Sequence, residues 1–310
     1  MILPRLVIAG ASGVVGRHLV SVAQKRYDIT VLTRTVDGSE PAGTRAVAWN
    51  PRALRDGDNA ALEALSEELE NAYAVVNLAG ASIGNGRLDA EHRARVLNSR
   101  VDSTETLLTA FEGTINRPEV WFQASATGYY GDRGNEVLTE TSGPQDDFFL
   151  AEVVKRWEDA TLPILDDTRL LIGRFGLVLA EDADAWQRML LPIKLFVGGP
   201  LGSGQQWYSW IDADDLARAM LHLLEFGEAR GVYNLTAPEP VRQADLASKA
   251  AAKLNRPDFM TAPAFALKLA LGGVADALLL PSAKVMPERL LETGFEFEHG
   301  DIDSELDKLL

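Results

Sequence analysis

Three glycines spaced by three residues follow a short apolar run near the start of the chain. Run and glycines occupy residues 6–16 and read Leu-Val-Ile-Ala-Gly-Ala-Ser-Gly-Val-Val-Gly. The apolar run indicates a buried strand, and the glycines indicate a tight turn into a helix over residues 14–25. A helix begins with free N–H groups, and only glycine lets the backbone approach a pyrophosphate closely. The stretch therefore predicts a phosphate-binding turn, with a purely structural turn as the alternative.

A second predicted strand, residues 29–33, follows this helix at the distance that a strand–helix–strand unit requires. It ends in Thr33 and Arg34, where an NAD-binding protein would place an Asp or Glu to hold the ribose hydroxyls. A carboxylate would repel a 2′-phosphate, whereas a guanidinium pairs with one through two hydrogen bonds. The pattern predicts NADP(H) rather than NAD(H) as the cofactor. The alternative for Arg34 is a solvated surface residue.

Composition restricts the partners of the chain. Its 45 acidic and 30 basic side chains give a net charge of −15, which repels nucleic acid and anionic membranes, so neither is an expected partner. There is no cysteine, which excludes disulfides, thiolate metal sites and a cysteine nucleophile. The four histidines show no metal-ligand spacing, so no metal site is expected. No signal-peptide pattern is visible, and we expect a cytoplasmic protein.

Strands and helices alternate up to residue 235. Further strands are predicted at residues 46–49, 74–78, 120–124, 170–174 and 231–235, and helices at 60–70, 90–111, 149–160 and 212–226. This alternation predicts an α/β fold, a Rossmann-type doubly wound parallel sheet whose ligands bind at the carboxyl ends of the strands. We expect a cofactor-binding domain over residues 1–180, completed by about 210–235.

The remaining segments, residues 181–209 and 236–310, are expected to form substrate-side loops and a small, mostly helical C-terminal region. Its most apolar stretch, residues 264–280, contains Lys268 and Asp276 and is interrupted too often for a membrane span. It predicts a packed amphipathic helix. Earlier in the chain, the small residues that end the strand over 74–78 would let a cofactor lie against the backbone, with a plain turn as the alternative.

The strand over residues 120–124 continues into Ser-Ala-Thr-Gly-Tyr-Tyr-Gly-Asp, residues 125–132. This stretch resembles the strand-end motif of the extended short-chain dehydrogenase/reductases, the sugar-nucleotide epimerase and dehydratase group. The glycine motif, residues 77–80 and the stretches 202–207, 209–212 and 214–215 resemble the same family. Residues 99–100, 157–158, 198–200, 287–290 and 294–295 resemble a subgroup of uncharacterised substrate that carries a small C-terminal helical domain.

The resemblance implies cofactor contacts around the glycine turn and the next two strand ends. Arg100, where the wider family commonly has a polar amide, could pair with cofactor phosphates or a ribose; a salt bridge to a carboxylate is the alternative. Val178 lies where the family covers the nicotinamide, with core packing as the alternative. The expected set is Gly10, Ser12, Gly13, Val14, Val15, Gly16, Thr33, Arg34, Asn77, Leu78, Ala79, Gly80, Arg100 and Val178.

The family's chemistry uses a Ser or Thr at this strand end and a Tyr-x-x-x-Lys pair on the following helix. Ser125 matches the serine, but phenylalanines stand where the helix begins and the pair is missing. Tyr129 or Tyr130 could have taken over as acid/base, the substrate or a water could relay the proton, or the protein could bind its cofactor without turnover. The expected function is therefore that of an NADP(H)-dependent oxidoreductase or epimerase-like enzyme for a small hydroxyl or carbonyl substrate. A non-catalytic NADP(H)-binding sensor or scaffold is the alternative.

Overall fold

The computed structural model describes residues 3–310. Its strands are β1 (Arg5–Ala9), β2 (Asp28–Thr33), β3 (Arg45–Ala48), β4 (Ala74–Asn77), β5 (Val120–Ala126), β6 (Val137–Leu138), β7 (Arg169–Phe175), β8 (Leu177–Leu179), β9 (Trp207–Tyr208), β10 (Trp210–Asp212), β11 (Gly231–Leu235), β12 (Val241–Arg242) and β13 (Lys284–Val285). Its helices are α1 (Val14–Ala23), α2 (Pro51–Arg55), α3 (Asn59–Leu69), α4 (Ala90–Glu112), α5 (Phe149–Asp159), α6 (Asp184–Lys194), α7 (Ala213–Glu225), α8 (Gln243–Lys253), α9 (Ala264–Leu271), α10 (Glu288–Glu292) and α11 (Ile302–Leu309).

Seven parallel strands form the central sheet in the order β3-β2-β1-β4-β5-β7-β11. The order reverses between β1 and β4, because β1, which contains Leu6, pairs with β2 on one side and with β4 on the other. In open sheets of this kind the ligand crevice lies at that reversal, outside the carboxyl ends of the strands. The α/β doubly wound fold predicted from the sequence is confirmed.

Successive residues of β1 point to opposite faces of the sheet, and both faces are covered. Leu6 and Ile8 are buried in the core that includes α1 and α7, while Val7 and Ala9 are buried in the core that includes α3 and α4. Strands buried on both faces read as continuous apolar runs, which is why the sequence located them. The glycine turn after β1 is thus fixed between two packed layers.

Three two-stranded sheets that the sequence did not predict connect the later segments. They pair β8 with β10, β9 with β12 and β6 with β13. The last pair buries Val285 beside Leu138 and Tyr130, which joins the C-terminal region to the loop that follows β5. The division of the chain into two domains stays a prediction.

The prediction of one packed amphipathic helix over residues 264–280 is wrong. Helix α9 ends at Leu271, the following Gly272 has a φ of +60°, which favours glycine, and a separate π-helical turn occupies Ala275–Leu279. None of the α9 residues is buried: Phe265, Leu269 and Leu271 are exposed, and Ala264, Ala266 and Leu267 are half-buried. No helix within residues 3–310 combines the length and apolar character needed to cross a membrane.

Candidate active site

The three glycines of the turn after β1 have different surroundings. Gly10 has a φ of +86°, and a Cβ there would lie 2.8 Å from the backbone of Leu78. A Cβ on Gly16 would lie 2.5 Å from the Gly10 carbonyl oxygen, so both glycines are needed for close backbone packing. A Cβ on Gly13 would meet only that oxygen, at 3.5 Å. The space beside Gly13 is therefore open.

Gly13 also precedes the first turn of α1, and no side chain caps that turn. Uncapped N–H groups at a helix N-terminus bind anions, because they combine donors with the positive end of the helix dipole. Ser12 is exposed and its carbonyl oxygen accepts from Arg17, while Val14 and Val15 are half-buried. The turn has the open space and the donors that a pyrophosphate requires.

Thr33 and Arg34 follow β2, the strand beside β1. The Thr33 hydroxyl donates to the Thr35 carbonyl oxygen at 3.0 Å, and this bond shapes the turn. The Arg34 side chain is exposed, and within residues 3–310 it forms no ion pair. Its guanidinium is available at the sheet edge where Gly13 lies.

The turn after β4 is held by Asn77, which is completely buried. Its amide nitrogen donates to Thr104 Oγ1 at 3.0 Å and to Gln123 Oε1 at 3.2 Å, and its oxygen accepts from the Ala79 N–H at 3.2 Å. The side chain that the sequence assigned to the cofactor is therefore occupied within the protein. What the turn presents to a ligand is the backbone of residues 78–80.

Arg100 on α4 lies against this turn. Its Nη1 donates to the carbonyl oxygens of Ala81 and Val96, both at 3.0 Å, and its Cζ lies 4.9 Å from the centroid of the Trp157 ring. A Cβ on Gly80 would be 3.1 Å from that Cζ. Burial lowers the pKa of Arg100 to about 10, so it stays protonated near neutral pH. In the described chain no carboxylate pairs with it, contrary to the salt-bridge alternative.

Val178 lies in β8, opposite Ile211 of β10. It is half-buried and packs against two of the hydrophobic clusters of the protein. These contacts favour the core-packing alternative for Val178.

Ser125, at the end of β5, lies in register with Arg174 of the neighbouring strand β7. Its hydroxyl donates to Glu158 Oε1 at 2.5 Å, and only 2% of the residue is exposed. Glu158, on α5, also accepts from Arg174, through Nε and Nη2 at 2.8 Å each. Burial acts to lower the pKa of Arg174, but the hydrogen bonds and charge of Glu158 hold it above its ordinary value. The three residues form one buried charged network.

The two tyrosines of the motif have different environments. Tyr130 is completely buried; its hydroxyl donates to Asn234 Oδ1 at 2.7 Å and accepts from Arg174 Nη1 at 3.0 Å. Burial raises the pKa of Tyr130 to about 12. This placement removes Tyr130 from the candidate proton donors and makes it part of the buried network. Tyr129 is half-buried, and the Arg174 Cζ lies 3.4 Å from its ring centroid.

Lys155 lies on the solvent side of α5. Its Nζ donates to Asp159 Oδ2 at 2.7 Å, which raises the pKa of Lys155, and the nearby Tyr129 adds a smaller effect in the same direction. The lysine is thus paired within its own helix, as a solvated side chain would be. It does not replace the missing Tyr-x-x-x-Lys pair by direct contact with Ser125.

The comparisons with known proteins decide the family. Residues 6–153 and 180–236 match the NAD dependent epimerase/dehydratase family, and residues 262–309 match a domain of unknown function, DUF1731. The chain belongs to the NAD-dependent epimerase/dehydratase family. The resemblance drawn from the sequence motifs is confirmed.

Relatives of this epimerase-family protein match it along nearly the whole chain. An epimerase family protein of Staphylococcus epidermidis is 37% identical over 308 residues, 99% of each chain. The crystal structure of the human epimerase family protein SDR39U1 with NADPH has a TM-score of 0.86 at 29% identity and covers 98% of each chain. A nucleoside-diphosphate sugar epimerase from Corynebacterium glutamicum has a TM-score of 0.74 at 30% identity, over 97% of this chain and 57% of its own.

The site of this family member contains residues that sequence reasoning did not assign to it. Glu158 appeared only as part of a motif, and Arg174 only as a strand end. Asn234 was not considered. A signal was nevertheless present, because Ser125 follows one predicted strand and Arg174 ends the next, and polar residues at the carboxyl ends of parallel strands meet at one sheet edge. The partner on α5 could not be located without the packing of that helix.

Proposed function

We propose that this protein binds NADP(H) and acts as an oxidoreductase or epimerase-like enzyme on a small substrate with a hydroxyl or carbonyl group. The observation that carries the proposal is the uncapped turn at Gly13, which has open space beside it and an exposed Arg34 at the next strand end. The relationship to SDR39U1, whose crystal structure contains NADPH, supports the choice of cofactor.

Each part of a dinucleotide has a chemically suitable partner at this edge. The first turn of α1 would hold the pyrophosphate, and the Arg34 guanidinium would pair with a 2′-phosphate. Arg100 would contact a phosphate or a ribose beside the turn of residues 78–80, and its charge persists because its pKa stays near 10. Val178, held in β8, would cover the nicotinamide end of the cofactor with its apolar side chain. The bound cofactor would supply or accept the hydride.

Tyr129 is the group we assign to proton transfer. It is partly exposed, and no other residue in 3–310 hydrogen-bonds its hydroxyl, so that group could reach a substrate oxygen. The Arg174 guanidinium against its ring fixes the orientation of the side chain. Ser125 would contact the same substrate oxygen only by sharing or releasing its hydrogen bond to Glu158. We therefore assign Ser125 a weaker, competing contact.

A second candidate function is cofactor binding without turnover, as a sensor or scaffold. The specific observation that favours it is the state of Ser125, whose hydroxyl is buried and bonded to Glu158. Together with the absence of the Tyr-x-x-x-Lys pair, this arrangement would suit a protein that binds NADP(H) and performs no reaction on a substrate.

A fluorescence titration with NADPH and NADH tests cofactor binding. We expect NADPH to bind more tightly, and Arg34→Ala to weaken NADPH about 10- to 100-fold while changing NADH little, since one charge-assisted contact is lost. The matched control is Arg230→Ala, an exposed arginine that precedes β11 at the opposite edge of the sheet. Equal losses for both cofactors would show that Arg34 does not contact the 2′-phosphate.

A panel of small aldehydes and ketones separates the two candidate functions. An oxidoreductase should consume NADPH with at least one member, and the loss of absorbance at the reduced-nicotinamide band would measure it. Tight NADPH binding with no consumption across a broad panel would exclude the oxidoreductase and leave the binding-only function or an epimerase-like enzyme, which regenerates its cofactor in each turnover.

A further inference from the structure

The exposed large apolar side chains are concentrated on one part of the surface. Leu195 and Phe196 follow α6, Phe259 and Met260 precede α9, and Phe265 and Leu269 lie on α9. Their exposed fractions are 62, 55, 77, 48, 74 and 77% in that order. We call these six side chains the apolar platform.

The two chain segments that carry the platform run side by side. The Met260 N–H donates to the Gly198 carbonyl oxygen at 3.1 Å, and the Gly202 N–H donates to that of Ala262 at 2.8 Å. The Arg256 guanidinium lies over the Phe196 ring at 4.3 Å. Helix α9 begins two residues after Ala262, so its exposed face continues the same surface.

One member of the platform has an unfavourable backbone. Phe196 has a φ of +66°, a backbone conformation that residues other than glycine rarely adopt. Such residues persist where surrounding structure holds them, and they cluster at functional surfaces. Here the strained residue lies with its ring against Arg256 and is still 55% exposed, which points to a partner for the exposed part.

The excess negative charge of the chain is absent from this surface. Residues 186–202 and 259–271 contain Arg188, Lys194 and Lys268 but no Asp or Glu, although the whole chain has a net charge of −15. Lys268 is paired with Asp276 at 2.8 Å, and Arg188 lies 3.9 Å from Asp184. Asp258 immediately precedes Phe259, and its negative charge is matched in number by that of Arg256, which lies against Phe196. The platform is therefore close to neutral, and two acidic chains could meet here without strong repulsion.

We propose that the apolar platform is the interface between two copies of this chain. Its six side chains expose roughly 800 Å², about what one partner contributes to a standard-size interface, and more than the largest apolar patch of a typical monomer. A two-fold axis through the platform would place each apolar surface against its own copy, so no second patch is needed. Ion pairs at the edge would form the polar rim.

The interface would also affect a cleft beside the loop that follows β5. Ala264 and Lys268 of α9 line a cleft with Gly202, Leu280 and Asp132, while Phe265 and Leu269 lie on the exposed side of the same helix. Since none of the α9 residues is buried in the single chain, contacts from a second copy would fix this wall of the cleft. The inference concerns assembly and does not depend on the proposed cofactor or reaction.

Sedimentation equilibrium of the full chain, at several concentrations across the micromolar range, tests the proposal. We expect the mass of two chains at the upper concentrations. The double variant Phe265→Asp, Leu269→Asp should be monomeric there, with a dissociation constant raised more than about tenfold. It should keep its far-UV circular dichroism, because neither side chain is buried. The control is Ile115→Asp, which changes a 91% exposed apolar residue elsewhere and should leave the dimer intact.

Two results would overturn the proposal. The first is a folded double variant that dimerises as the parent does. The second is a parent protein that stays monomeric at every concentration. If that monomeric parent sediments with vesicles of anionic phospholipid and the double variant does not, the occupant of the platform is a membrane surface.

Discussion

Glu158 and Arg174 form a buried ion pair with two parallel hydrogen bonds. The bonds from Nε and Nη2 of the arginine are both 2.8 Å long, and the side chains are 11% and 4% exposed. The pair connects α5 to the end of β7, and the same carboxylate accepts from Ser125 of β5. A buried charge that loses its partner is strongly destabilising, whereas the intact pair adds little net stability.

We therefore expect Glu158→Gln to lower the free energy of unfolding by about 3–5 kcal/mol. The substitution keeps the volume of the side chain but leaves the Arg174 charge buried without a counter-charge. Urea unfolding measures the change, provided the slope with denaturant concentration is unchanged. Glu152→Gln is the matched control, because Glu152 pairs with Arg156 on the exposed face of the same helix and should cost less than about 1 kcal/mol. Similar losses of unfolding free energy in both variants would show that breaking the buried pair costs no more than breaking an exposed one.

The same network shows which parts of the site the sequence could predict. The residues at strand ends were predictable, because apolar runs define the strands and the fold brings their carboxyl ends to one edge. Asn77 was located correctly, but the bonds of its side chain to Thr104 and Gln123 depend on how α4 and β5 pack against β4. The role of Glu158 depends in the same way on the packing of α5.

The region after residue 236 shows a different limit. Its apolar residues predicted a helix that buries one face, but Gly272 and Gly273 end α9 after two turns. Exposure of Phe265 and Leu269 breaks the rule on which the prediction rested, namely that apolar helix faces are buried within their own chain. A surface that is completed by another molecule cannot be read from the pattern of one chain.

Gly13→Val should abolish NADPH binding without unfolding the protein. Gly13 has a φ of −72°, which other residues adopt easily, and a Cβ there meets only one atom, at 3.5 Å. The added methyl groups would occupy the space proposed for the pyrophosphate. Fluorescence titration measures binding, and far-UV circular dichroism checks the fold.

Two other glycines provide the comparison for this variant. Gly227 has nothing within 4 Å of an added Cβ and precedes β11 at the far edge of the sheet, so Gly227→Val should bind NADPH normally. Gly16→Ala should destabilise the fold itself, because its Cβ would lie 2.5 Å from backbone atoms. Retained binding in a folded Gly13→Val protein would contradict the assignment of the phosphate site.

Tyr129→Phe should lower activity, whereas Tyr130→Phe should lower stability. With a carbonyl substrate that consumes NADPH, Tyr129→Phe should lower kcat by roughly 10²- to 10⁴-fold, as the loss of a general acid does, and leave NADPH affinity unchanged. Tyr130→Phe should keep most of the activity but lower the free energy of unfolding by about 1–3 kcal/mol, because Asn234 and Arg174 lose a buried partner. Steady-state kinetics gives kcat for each variant, and urea unfolding gives the free energy of unfolding of each. Normal turnover by Tyr129→Phe would favour transfer through the substrate or a water.

Glu305 on α11 should make stability fall as pH rises. Its carboxyl group is completely buried, and neither oxygen has a hydrogen-bond partner within residues 3–310. Burial, followed by the charge of Asp212, raises its pKa from 4.5 to about 8, and Lys308 offsets part of this effect. Between these two values the folded protein holds a proton that the unfolded chain has released. The free energy of unfolding therefore decreases with pH over this window, by at most about 1.4 kcal/mol per pH unit.

Glu305→Gln replaces the protonated acid by a neutral side chain of similar shape and removes this dependence. The variant and the parent should have similar stability near pH 5, and the advantage of the variant should grow until about pH 8 and then stay constant. Urea unfolding at a series of pH values measures the difference, in which the titration of groups common to both proteins cancels. Asp307→Asn, on the exposed side of the same helix beside Lys253, should give a curve parallel to that of the parent. A parallel curve for Glu305→Gln as well would mean that Glu305 is ionised in the folded protein, and that Lys308 compensates for its burial beside Asp212.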